Sequence, residues 1–136
     1  MRFTLAIAFL ALVFAGSVAS RTMGQSENTD VSILSETRGY DFGSYVTGAL
    51  KAIRTKWYSS IPDAARKGTV GRVAVGIVIS RDGTVRDVWL AETSGNDSLD
   101  QAAVAAVQSS TPLVALPADF TGDRLVIRVR FFYNLR

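Results

Sequence analysis

Apolar and polar positions alternate along this chain in two distinct rhythms. Phe42, Tyr45, Val46, Ala49, Leu50, Ile53 and Trp57 recur at i, i+3, i+4, i+7, i+8, i+11 and i+15. That spacing lays them on one face of an α-helix. Asp41 stands where an N-cap carboxylate can accept from the free N–H groups of the first turn. Lys51, Arg54 and Lys56 fall off the apolar face and toward the C-terminal half, where cations complement the helix dipole. Ile61-Pro62 stops the helix, because a residue before proline is pushed out of helical space. Between Pro62 and Gly71 the spacing allows a short helical turn at Asp63-Ala64-Ala65-Arg66.

The rhythm then changes to a period of two. Val73, Val75, Ile77 and Ile79 share one face of a strand over about 70–79, while Arg72, Ala74, Gly76 and Val78 share the other. A strand this apolar on both faces belongs in the middle of a sheet. Asp82-Gly83 follows, a dipeptide suited to the positive φ of a hairpin turn. A second strand spans about 84–93. Val85 is out of phase with Val88 and Leu90, and a β-bulge near Arg86-Asp87 brings all three onto one face. Ser98 with Gln101 three residues on matches a capping box and opens a second helix. Leu99, Ala102, Ala103, Ala106 and Val107 form its inner face, and the small alanines imply close approach to the sheet. Pro112 lies beyond its end, and Leu113 to Phe120 is irregular, with Pro117 and Phe120 covering a core edge. In the third strand Leu125, Ile127, Val129, Phe131 and Tyr133 face one way and Arg128 and Arg130 the other.

The order is therefore helix, strand, strand, helix, strand. Placing the third strand beside the second would make that pair parallel through a crossover; placing it across the first keeps every pair antiparallel and the most apolar strand central. The expected fold is α+β: two helices on one face of a three-stranded antiparallel sheet of order 2-1-3. The third strand then lies at an edge, and such an edge is either protected or used to add a partner strand.

Composition narrows the chemistry. The chain has 136 residues, enough for one domain with a modest core. It contains neither cysteine nor histidine, so it offers no thiolate, disulfide or imidazole base. Fifteen basic residues stand against 12 acidic ones, spread along the chain, which does not suit a nucleic-acid binder. Asp82, Asp87, Asp97 and Asp100 are the only candidate carboxylate cluster, but they occupy a turn, a strand and a helix start, where such residues have structural uses. Ser94-Gly95 has no base at a recognisable spacing, and Asn96, Asp97 and Asp100 do not match an EF-hand loop. No enzyme, cofactor or metal site is expected.

The N-terminus carries Arg2, an uncharged apolar run from Phe3 to Ala15, and small residues at Gly16-Ser17-Val18-Ala19-Ser20. This is the form of a cleavable secretory signal over 1–20, and the run is shorter than the ~20 residues a spanning helix needs. The alternative is a retained anchor over 3–19, the only way this chain would meet a membrane. Residues 21–39 are polar and read as a flexible leader. A short added strand from Val31 to Leu34 is the minor alternative. The folded domain is then 40–136.

Ile61-Pro62-Asp63-Ala64-Ala65-Arg66, Gly71-Arg72-Val73, Asp82-Gly83-Thr84-Val85, Thr93-Ser94-Gly95, Leu99-Asp100, Ala102-Ala103, Ala106, Leu116-Pro117-Ala118 and Val129-Arg130-Phe131, in that order, resemble the TonB C-terminal domain family. Tyr45, Ile53, Trp57 and Pro62 are similar to the related TolA C-terminal domain. The resemblance covers roughly Tyr40 to Tyr133. It implies a periplasmic, non-enzymatic interaction module linked to outer-membrane transport. An outer-membrane or periplasmic protein segment would add as a strand beside the third strand. On this chain that edge is Leu125, Val126, Ile127, Arg128, Val129, Arg130, Phe131, Phe132 and Tyr133, with Arg128 and Arg130 facing an acidic or polar partner. The same edge could pair across a two-fold axis in a homodimer. Two departures stand out: Ile61 replaces the tyrosine usual before the proline, and 21–39 contains no proline. Fully extended, that leader reaches about 65 Å, short for a periplasmic spacer, which sets this chain apart from a transducer acting alone; the alternative function is a membrane-anchored energy transducer or accessory subunit with residues 3–19 retained as its anchor.

Overall fold

A computed structural model describes residues 28–135. The expected signal segment and the first part of the leader lie outside them. The elements are β1 (Thr29–Ile33), α1 (Gly43–Tyr58), α2 (Asp63–Arg66), β2 (Gly71–Ser80), β3 (Val85–Glu92), α3 (Asp97–Ser109) and β4 (Arg124–Tyr133). They build one four-stranded sheet of order β1-β4-β2-β3, antiparallel throughout.

The three-strand order expected from sequence survives within it, with β2 between β3 and β4. The strand count does not: the sheet has a fourth strand, and β4 is no longer an edge. The added strand comes from Thr29–Ile33, inside the segment expected to be a flexible leader. Its cause is local and long-range together. Thr29, Val31 and Ile33 alternate along the strand, and Val31 is buried in the core at 1% exposure. Opposite them, β4 supplies an unfilled row of backbone groups and a charged partner for Asp30.

Five buried side chains of β4 (Leu125, Ile127, Val129, Phe131, Tyr133) meet Val73, Val75, Ile77 and Ile79 of β2 on the helix-covered face. From α1 come Val46, Ala49, Leu50, Ile53 and Trp57; from α3 come Leu99, Ala103, Ala106 and Val107. Burying such side chains stabilises by about 1.5–3 kcal/mol each before entropy is counted. Trp57 is the anchor that joins the layers. Its ring lies against Phe131 and Tyr133, and its Nε1–H donates to the Tyr133 hydroxyl at 2.7 Å. That hydroxyl donates in turn to the Leu99 carbonyl at 3.0 Å, so one relay ties α1, β4 and α3.

The caps shift slightly from their expected places. Asn96, rather than Ser98, caps α3, accepting from Ser98 and Leu99 backbone N–H groups. Asp41 does accept from a first-turn N–H, that of Gly43 at 2.9 Å, although Phe42 is the N-cap residue. The irregular segment after α3 folds back on the β2–β3 turn. Leu113 N–H donates to the Gly83 carbonyl, and Leu116 N–H to that of Arg81. The Arg81 guanidinium donates to the carbonyls of Pro117, Phe120 and Gly122. Gly83 has φ +91, and a Cβ there would lie 2.1 Å from the Leu113 carbonyl oxygen, so this turn needs glycine twice over.

Candidate functional site

The sheet carries helices on one face only. Val126, Arg128, Arg130 and Phe132 of β4 project from the other, each part-buried. The segment Leu125 to Tyr133 therefore presents two surfaces, a core face and this open face, and two flanks. One flank is β2, paired without interruption from Gly71↔Tyr133 to Ser80↔Arg124. The flank expected to be free is taken by β1, in the register Thr29↔Phe131, Val31↔Val129 and Ile33↔Ile127.

The β1–β4 contact is fully bonded at both ends. The Phe132 N–H donates to the Asn28 carbonyl at 2.9 Å, and the Leu34 N–H to the Val126 carbonyl at 2.8 Å. The Val126 N–H donates to Ser35 Oγ at 3.0 Å. Between them, Arg130 grips Asp30 through two nitrogens, Nε at 2.9 Å and Nη2 at 2.6 Å. The Asp30 side chain is 5% exposed and that of Arg130 31%. The hydrogen bond to Asp30 raises the Arg130 pKa further above its ordinary value, against the effect of burial. Such a bidentate, charge-assisted pair fixes register as well as adding energy.

The two arginines expected to meet a partner thus have different fates. Arg130 is committed to Asp30 and also lies over the Phe132 ring, 5.7 Å from its centroid. Arg128 sits in register between Ser32 and Gly76, and its buried Nε has no hydrogen-bond partner among the described residues. Gly76 in turn is opposite Trp89 of β3. A Cβ on Gly76 would lie 2.1 Å from Trp89 Cε2, so the indole rests directly on the glycine backbone. The open face thus carries one row running Ser32, Arg128, Gly76, Trp89 across all four strands.

The remaining polar candidates serve the scaffold. Asp82 accepts from Ser80 Oγ at 2.7 Å and the Thr84 N–H at 3.0 Å, and these bonds hold its pKa down at about 2. Asp100 accepts from the Thr93 hydroxyl, the Ser94 N–H and Ser94 Oγ. Burial acts to raise its pKa, but these hydrogen bonds together outweigh it and hold the carboxyl below its ordinary value. They lock the β3–α3 break rather than point at a ligand.

Asn28, Asp30 and Ser35 were not legible as parts of a binding edge. The alternation of Thr29, Val31 and Ile33 was the available signal, and five residues within a polar stretch made it faint.

An antiparallel sheet with helices on one face, and a crossover helix between its third and fourth strands, defines a small α+β domain. Comparison places it more closely. The family model described as Gram-negative bacterial TonB protein C-terminal matches residues 62–135, more than half of the chain. The chain belongs to this TonB C-terminal family. A solution structure of the Helicobacter pylori TonB C-terminal domain is similar to it at TM-score 0.57 and 23% identity, covering 74% of this chain and 89% of that one. A second solution structure of that domain gives TM-score 0.49 and 28% identity, covering 62% and 90%. No curated protein matches the chain.

Proposed function

We propose that this chain is an exported periplasmic interaction module that docks an extended segment of an outer-membrane or periplasmic protein by strand addition along β4, in the slot that β1 now fills. Membership in the TonB C-terminal family supports the functional class. The observation that carries the docking mode is β1 itself. It is a five-residue segment, distant in sequence, seated antiparallel on β4 with an acidic residue on Arg130 and an aliphatic one in the core. A partner segment with the same alternation, acidic outward and aliphatic inward, satisfies the same groups. Arg128, whose Nε has no partner among the described residues, offers a second contact to an acidic or polar side chain.

Docking at β4 requires β1 to leave, and that makes the reading testable. Ser32 and Arg128 are cross-strand partners, and the chain has no native cysteine. Paired Cα atoms in antiparallel strands lie about 4.5–5.5 Å apart, within disulfide range. A Ser32→Cys/Arg128→Cys variant therefore locks β1 when oxidised. With a photo-crosslinker at Val126 in cells, the reduced form is expected to capture a segment of an outer-membrane or periplasmic protein, and the oxidised form to lose it. Equal capture in both forms sinks docking at this slot. Mass spectrometry of the exported protein tests the signal: an N-terminus at Ser20 or Arg21 supports cleavage, and an intact Met1 contradicts it.

A further inference from the structure

Arg128 and Arg130 occupy equivalent places on β4. They are two residues apart, so both side chains leave the sheet on its open face, and both are part-buried. On the β2 flank they oppose Gly76 and Ala74, which carry no acceptor side chain. On the β1 flank they oppose Ser32 and Asp30. There the equivalence ends. Asp30 holds Arg130 at two points, Nε at 2.9 Å and Nη2 at 2.6 Å. Ser32 leaves the buried Nε of Arg128 without an acceptor. The ion pairs among the described residues are Arg66–Asp63, Arg72–Glu92 and Arg130–Asp30, so no carboxylate reaches Arg128 from elsewhere. An N–H withdrawn from water without an acceptor is a cost carried by the β1-closed sheet. As a strand for β4, β1 is one carboxylate short.

Resting on the reading that a partner docks along β4, we infer that Arg128 is the residue that separates a partner from β1. It selects an extended segment with two acidic residues at alternate positions, the second standing where β1 has Ser32. The first carboxylate meets Arg130 as Asp30 does, and the second meets Arg128 in the same relation. The residue between them is aliphatic and enters the core as Val31 does. The arrangement also explains how β1 is displaced. A strand tethered to its own sheet acts at high effective concentration, which favours β1 over any free segment. A second charge-assisted pair, which β1 cannot form, offsets that advantage. A segment that merely copies β1 gains nothing over it and is excluded.

Two measurements on the full chain separate the charge from the docking. In the first, Ser32→Asp places the missing carboxylate on β1 itself, and Ser32→Asn supplies the same shape without charge. Ser32→Asp is expected to raise the thermal unfolding midpoint by about 4 °C over Ser32→Asn, and the gain is expected to vanish when Arg128→Gln is added. Equal midpoints, or a gain that survives Arg128→Gln, overturn the role of Arg128. In the second, peptides with the sequence of residues 28–35 are titrated into the parent chain and followed by NMR at the Val126 and Phe132 amides. The peptide with aspartate at the Ser32 position is expected to reach half-saturation at about one tenth the concentration of the unaltered peptide. Equal half-saturation overturns the selection. If Ser32→Asp stabilises the chain but neither peptide binds, docking along β4 is what fails, and the partner assigned here fails with it.

Discussion

The two flanks of the sheet solve the same problem in opposite ways. Along β4 the chain supplies its own neighbouring strand: β1 satisfies the backbone, buries Val31 and pairs Asp30 with Arg130. Along β3 no strand arrives among the described residues, and Trp89 and Leu90 stay substantially exposed. The difference lies in what each flank asks of the sequence. Closing β4 needs a distant segment carrying one specific charge. Leaving β3 open needs only that its ends be bulged and charged. An edge is therefore not defined by strand order alone; the segments outside the expected domain decide which edge exists.

The largest expected effect comes from breaking the closed flank at its charge. Arg130→Ala leaves the Asp30 carboxylate buried without its partner. It should destabilise by about 3 kcal/mol, measured by denaturant unfolding, with much of that recovered when Asp30→Val is added. A loss below a few tenths of a kcal/mol would mean that β1 is not held there.

On the open face, Gly76→Ala forces the Trp89 indole off its seat, since the new Cβ would fall 2.1 Å from the ring. The expected loss is about 1–2 kcal/mol, with a red shift in tryptophan emission. Trp57 is buried and serves as an internal constant. An unchanged spectrum would show that Trp89 does not lie on the glycine.

Smaller again is the Asn96 cap of α3, whose side chain accepts from two first-turn N–H groups. Asn96→Ala should cost about 1 kcal/mol while leaving Trp89 emission unaltered.

The smallest is a pH effect. Asp100 has a folded-state pKa below its unfolded value. Its contribution to stability is thus present above the unfolded value, near pH 4, and is lost as pH falls through the lower folded value. Asp100→Asn should flatten the acid limb of the stability profile in that window. A variant that unfolds in acid as steeply as the parent would assign the limb to other carboxylates.

Most of this architecture was readable because its signals are local. The α1 face from Phe42 to Trp57, the Asp82-Gly83 turn and the bulge at Arg86 all announce themselves within a few residues. The antiparallel inner order followed from the apolar character of β2. What escaped was non-local. Asp30 and Arg130 are 100 positions apart, and nothing near either residue names the other. The seat of Trp89 on Gly76 likewise depends on the β2–β3 register, which the bulges reset. The candidate edge at Leu125–Tyr133 was legible as a strand but not as a closed one, because closure lay in five residues that look like leader.

Backbone amide hydrogen exchange tests the central claim most directly. If β1 closes β4, the amides of Leu34 and Phe132, which donate across that flank, should exchange slowly, alongside those of β2. The outward amides between Val88 and Leu90 should exchange faster in dilute protein. Leu34 and Phe132 exchanging at the rate of an unstructured chain would contradict the account and return β4 to the status of a free edge.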